Sequence, residues 1–94
     1  MSAPQTFILT WEGRRLTIEH REAWIAGADH LAIQSEDREP LPITETGYRS
    51  HFLSGEELAA RGGPAAYVET WLNDAARTSE WKAHVAASRQ LSLF

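Results

Sequence analysis

The sequence predicts an α+β fold: a three- to four-stranded antiparallel sheet opening on an N-terminal β-hairpin, followed by two C-terminal helices packed on one face. Three observations carry this. Apolar and polar residues alternate from Phe7 to Ile18 around a single Glu12-Gly13 turn. Two further runs, at 30–35 and 41–52, keep a strand-like character. After Ser54 the apolar spacing changes from two to that of a helix.

In the hairpin, Phe7, Leu9 and Trp11 alternate with Ile8 and Thr10, and Leu16 and Ile18 alternate with Arg15, Thr17 and Glu19. Gly13 supplies the turn with a residue free to take positive φ. Arg21 to Asp29 reads as a connection, because Gly27 and Asp29 suggest a loop despite Trp24 and Ile25. His30 to Ser35 reads as a third strand with Leu31 and Ile33 facing the core. A charged turn, Ser35-Glu36-Asp37-Arg38-Glu39-Pro40, leads to an irregular fourth strand over Leu41 to Phe52. Pro40 and Pro42 place its start at a sheet edge, and Gly47 marks a bulge or bend.

Ser54 is a candidate cap for a short helical turn containing Glu56 and Glu57. Gly62-Gly63 ends that turn and Pro64 opens the next helix at its first position. Val68, Trp71, Leu72 and Ala75 then form an apolar stripe. Thr78 or Ser79 caps a last helix, expected over Glu80 to Ser88, with Trp81 and Val85 on one face. Residues 1–88 thus read as one domain, and residues 89–94 as a C-terminal linear motif. No internal repeat or low-complexity segment interrupts them.

Composition bounds the function. The 94 residues hold 43% hydrophobic side chains and four tryptophans, enough for a core. A net charge of −4 gives no global basic field, so direct nucleic-acid binding is not expected. The absence of cysteine removes disulfides and thiolate zinc sites. Neither a signal peptide nor a membrane-spanning run is present, and the expected location is the cytoplasm.

Chemistry-bearing motifs are sparse. His20, His30, His51 and His84 fall in four different elements without metal-ligand spacing, so no metal site is expected. Glu45 with His51 offers an acid–base pair on paper only. Nucleophile-elbow, phosphate-loop and dinucleotide patterns are missing, and neither an enzyme nor a cofactor is expected. The surroundings of the tryptophans are not basic overall, and they read as core or interface residues rather than stacking platforms. The segment 44–52 is dense in hydrogen-bonding side chains. Its residues Tyr48, Arg49, His51 and Phe52 are the candidates for a second binding surface, the alternative being a plain exposed edge.

The most specific signal is the ending, Gln90-Leu91-Ser92-Leu93-Phe94. Three large apolar side chains stand in a polar exit where a chain end is normally hydrophilic. A given site matches this pattern by chance on the order of once in a few hundred thousand. It resembles the short motif by which bacterial replication and repair proteins dock on the DNA polymerase sliding clamp. The resemblance implies that Leu91, Leu93 and Phe94 enter a preformed apolar groove while the Gln90 amide makes polar contacts at its edge. Ser92 matches the tolerant middle position. The structural alternative is that the same side chains fold back to close the core.

A second resemblance covers most of the chain. The run Pro42 to Phe52, the Gly63-Pro64-Ala65-Ala66-Tyr67-Val68 helix entry and the ending look like small uncharacterised proteins of alphaproteobacterial plasmids and integrated elements. It implies an accessory protein of mobile DNA. The expected function is therefore a non-enzymatic protein that docks on the clamp, as an adaptor with a second protein partner or as a competitor of clamp clients. The alternative is an inhibitor of a host defence nuclease, of the anti-restriction or anti-CRISPR kind, acting through the folded acidic domain.

Overall fold

The computed structural model describes residues 4–91, with side chains up to Ala87. Four strands, β1 (Gln5–Trp11), β2 (Arg14–Ile25), β3 (Ala28–Ser35) and β4 (Tyr48–Leu53), form one antiparallel meander in the order β1-β2-β3-β4. Three helices follow: α1 (Gly55–Ala60), α2 (Pro64–Ala75) and α3 (Ser79–Leu91). The expected α+β class and order of elements are those observed. The short turn after Ser54 is a third helix, capped by the Ser54 hydroxyl accepting from Glu57 N–H at 3.1 Å.

The β1–β2 register pairs Phe7 with Ile18 and Leu9 with Leu16. Antiparallel pairing places directly opposed side chains on one face, so the alternation read from the sequence becomes a continuous apolar surface. Leu16, Ile18, Leu31 and Ile33 on that surface are fully buried. From the helices, Leu58, Val68, Leu72 and Trp81 join them, with Val85 packed at the margin. Each such aliphatic burial contributes about 1.5–3 kcal/mol, and this holds the helices to the sheet. Trp11 Nε1 also donates to Asn73 Oδ1 at 2.8 Å, pinning β1 to α2.

Two expectations are corrected. The segment 21–29 is not a loop: β2 runs on to Ile25 and turns through Ala26 and Gly27, both at positive φ, straight into β3. A bulge between Arg21 and Ile25 makes this extension possible. At its centre Ala23 has φ 44, and its N–H donates to Asp29 Oδ1 at 3.0 Å instead of to the ladder. The second correction concerns the start of the fourth strand. Residues 41–47 form a tight turn closed by reciprocal Leu41 and Thr44 backbone bonds of 2.8 and 3.0 Å. Buried Leu41 and Ile43 plug the core from this turn, so their apolar spacing reflects burial rather than strand pairing.

Gly47 is obligatory at the junction. Its φ is +79, and a Cβ there would stand 2.7 Å from Ser35 Oγ and 2.8 Å from the Arg38 carbonyl oxygen. The close approach lets its carbonyl accept from Ser35 N–H at 2.8 Å and aims the chain into β4.

Candidate functional site

Helix α3 is capped by Thr78, whose hydroxyl accepts from Trp81 N–H at 3.2 Å. Its core contacts come early, through buried Trp81 and half-buried Val85, while Ala86 and Ala87 are exposed. The helix does not stop at Ser88 as expected; it continues through Gln90 and Leu91. Neither glycine nor proline follows Ser88, and Arg89, Gln90 and Leu91 are good helix formers. The first two residues of the clamp-like motif therefore form the last positions of α3. Ser92, Leu93 and Phe94 lie outside the described residues.

The four residues of the candidate second surface separate in the structure. Strand alternation turns Tyr48 and Phe52 to the open face of the sheet and Arg49 and His51 to the face that carries the helices. Sequence spacing alone suggested one patch; the pleat divides it.

On the helix side, His51 Nε2 shares a 3.0 Å hydrogen bond with the Tyr67 hydroxyl, and its ring lies 4.6 Å from that of Trp71. The Arg49 guanidinium stands over Trp71 at 5.5 Å. Burial and the neighbouring Arg49 charge hold the His51 imidazole below its ordinary pKa of 6.5, against a smaller opposing pull from Glu57. Arg49 also lines a groove of about 760 Å³ with Pro40, Ile43, Thr46, Trp81 and His84.

On the open face, Phe52 stacks on Trp24 with the rings 5° from parallel and 6.0 Å apart. His30 lies beneath both, 4.6 Å from Trp24 and 4.7 Å from Phe52. Its Nε2 shares a 2.6 Å hydrogen bond with Ser50 Oγ, and its Nδ1 is buried without a partner. Burial, reinforced by Arg21 and opposed by Glu19, depresses the His30 pKa. The sequence hides this cluster, because Gly27 and Asp29 give the stretch around Trp24 the pattern of a loop. The available signal was the alternation of Phe52 with His51, which puts one of them on the uncovered face.

A second unforeseen arrangement joins β2 to β3. His20 and Asp29 are both buried, with Nε2 and Oδ2 2.8 Å apart. Burial alone would raise the Asp29 carboxyl pKa, but the Ala23 N–H and His20 outweigh it and hold it below 3.8. The pair borders a depression of about 490 Å³ with Gln5, Glu22, Gly55 and Pro64. No serine, threonine, cysteine or lysine is among the residues that line it. The pair's evident task is to secure the bulge, since Asp29 satisfies the Ala23 N–H within it. Among the described residues no group of three or more potential ligands gathers to hold a metal. No helix there is long and apolar enough to cross a membrane.

The meander, α1 and α2 belong to a recognisable unit. The family model for the KlcB third domain matches residues 4–81. The chain belongs to the KlcB third-domain family. The matched stretch covers the whole sheet, α1, α2 and the first turn of α3 up to Trp81. Residues 82–94, including the clamp-like motif, lie beyond the part matched to the KlcB third domain. Neither a curated protein nor a solved structure matches the chain.

Proposed function

We propose that this protein is a non-enzymatic accessory factor of mobile DNA that docks on the bacterial sliding clamp through Gln90, Leu91, Ser92, Leu93 and Phe94. The observation that carries the reading is the residue pattern of that segment. Two features of the fold support it. Among the described residues the core is drawn from the sheet, Leu41 and Ile43, α1, α2 and the first two turns of α3, with Val85 at its margin. The KlcB third-domain match likewise ends before the motif, at Trp81. In this proposal the motif acts as an appendage to the folded unit.

Docking requires Gln90 and Leu91 to leave the helix and become extended. A terminal helical turn lacks part of its hydrogen bonding, so this unwinding is cheap. Three apolar anchors at about 1.5–3 kcal/mol each, less the ordering of the peptide, give an affinity on the order of micromolar. With the domain as cargo, occupancy of the groove either brings a second protein to the clamp or displaces other clients.

The test is a titration of the protein against purified bacterial clamp, alongside Leu93→Ala/Phe94→Ala and a chain ending at Arg89. Micromolar binding that both changes abolish, with the melting temperature unchanged, is the expected result. Absence of binding by the intact chain overturns the reading and moves the search to the folded surface and to nuclease inhibition. A large loss of stability on truncation assigns the segment to the core instead.

A further inference from the structure

The four strands are covered on one side only. The helices take the face of Leu16, Ile18, Leu31 and Ile33. The opposite face carries most of the large apolar side chains that the described residues leave exposed. Ile8 is 63% accessible, Tyr48 and Phe52 47% each, and Trp24, stacked on Phe52, 45%. Ile25, also exposed, follows Trp24 at the end of the same hairpin. Singly exposed apolar residues are ordinary, but their concentration on one face marks an interaction surface.

The charge on this face narrows the occupant. Arg15 pairs with Glu36 at 3.5 Å and Arg21 with Glu19 at 3.1 Å. These two cations and two anions cancel within the face, while the chain as a whole carries −4. A face without net charge has no pull on a polyanion and does not repel its own copy.

Its pattern is also self-complementary. Ile8, Thr17, Gln34 and Tyr48 lie in one row across the sheet, each opposite the next in the register. The row reads apolar, polar, polar, apolar. A two-fold axis parallel to the strands lays β1 of one copy over β4 of the other, bringing Ile8 against Tyr48 twice, as an isologous interface requires. Four strands at ~4.8 Å and seven residues at ~3.4 Å give a footprint of roughly 450 Å². With side-chain relief, this approaches the roughly 600 Å² per partner at the lower edge of specific interfaces.

We infer that the open sheet face is a homodimer interface, closing two sheets face to face about a two-fold axis. It involves none of the residues of the proposed clamp-docking segment and is tested separately from it.

Sedimentation equilibrium of the full chain from 5 to 500 μM tests this, with Ile8→Glu and Phe52→Glu alongside. The expected result is a reversible dimer whose dissociation constant rises at least thirtyfold in either variant. Ile8 stands outside the aromatic cluster, so Ile8→Glu keeps the test valid if Phe52→Glu unfolds. A monomer at 500 μM overturns the proposal and leaves the face to a different partner. A dimer indifferent to Ile8→Glu overturns it as well, by placing the contact elsewhere.

Discussion

Replacing Asp29 by alanine removes a carboxylate that has two clients, a part-buried backbone N–H and a buried imidazole. Its Oδ1 accepts from Ala23 N–H at 3.0 Å, and its Oδ2 lies 2.8 Å from His20 Nε2. The first bond satisfies a backbone donor inside the β2 bulge, and the second satisfies a buried imidazole. Leaving the buried imidazole unpaired costs about 1–3 kcal/mol and the part-buried N–H about 1 kcal/mol, so Asp29→Ala is expected to cost about 2–4 kcal/mol. For a domain of this size about 1 kcal/mol corresponds to roughly 4–8 °C in melting temperature, so the fall is at least about 8 °C. Asp29→Asn keeps the shape and one carbonyl acceptor. It retains the bond from Ala23 and costs about half as much, provided His20 adopts the tautomer that accepts from the new amide. The assay is urea unfolding at pH 7, followed by tryptophan fluorescence and by far-ultraviolet circular dichroism. An Asp29→Ala variant within 1 kcal/mol of wild type would refute the reasoning, because neither client would then depend on the carboxylate.

Two other outcomes are expected. Gly47→Ala adds a methyl group within 3 Å of Ser35 and the Arg38 carbonyl at φ +79, which costs at least about 2 kcal/mol; Gly13→Ala, with positive φ but open space around it, costs about 1 kcal/mol, and equal losses in thermal melts would contradict the close approach. Stability also falls on acidification: the folded pKa values of His30 and His51 lie below 6.5, so the unfolded chain takes up protons first and stability present above pH 6.5 is lost as the pH drops through the folded values. Asp29, depressed below 3.8, adds a further loss at lower pH. A melting temperature unchanged between pH 7.5 and 5 would show that neither histidine is held neutral by the fold.

Much of the fold is written locally. The two-residue period around Glu12-Gly13 specifies the hairpin, because a one-residue slip would move Leu16 and Ile18 into water. The Ser54 cap, Pro64 at a helix start and the Val68–Leu72 spacing specify helices for equally local reasons. The bulge was not legible, since its N–H is satisfied by a carboxylate six residues away. The turn at 41–47 was read as strand because its leucine and isoleucine are buried, and apolar spacing alone does not distinguish burial in a plug from burial in a sheet. The end of α3 was placed three residues early, where no breaker marked the difference.

The sequence by itself therefore determined the α+β class, the order of its elements and most of the core, and it carries the residue pattern at 90–94 on which the proposed docking rests. Each rests on side chains a few residues apart, whose periodicity or pattern is complete within the segment. Only the tertiary structure decided which faces of the sheet stay open, that Tyr48 and Phe52 part company with Arg49 and His51, and that Trp24 and His30 join Phe52. It also decided that His20 meets Asp29. These depend on strand register and on which face the helices cover, and both are settled by contacts between residues distant in the chain.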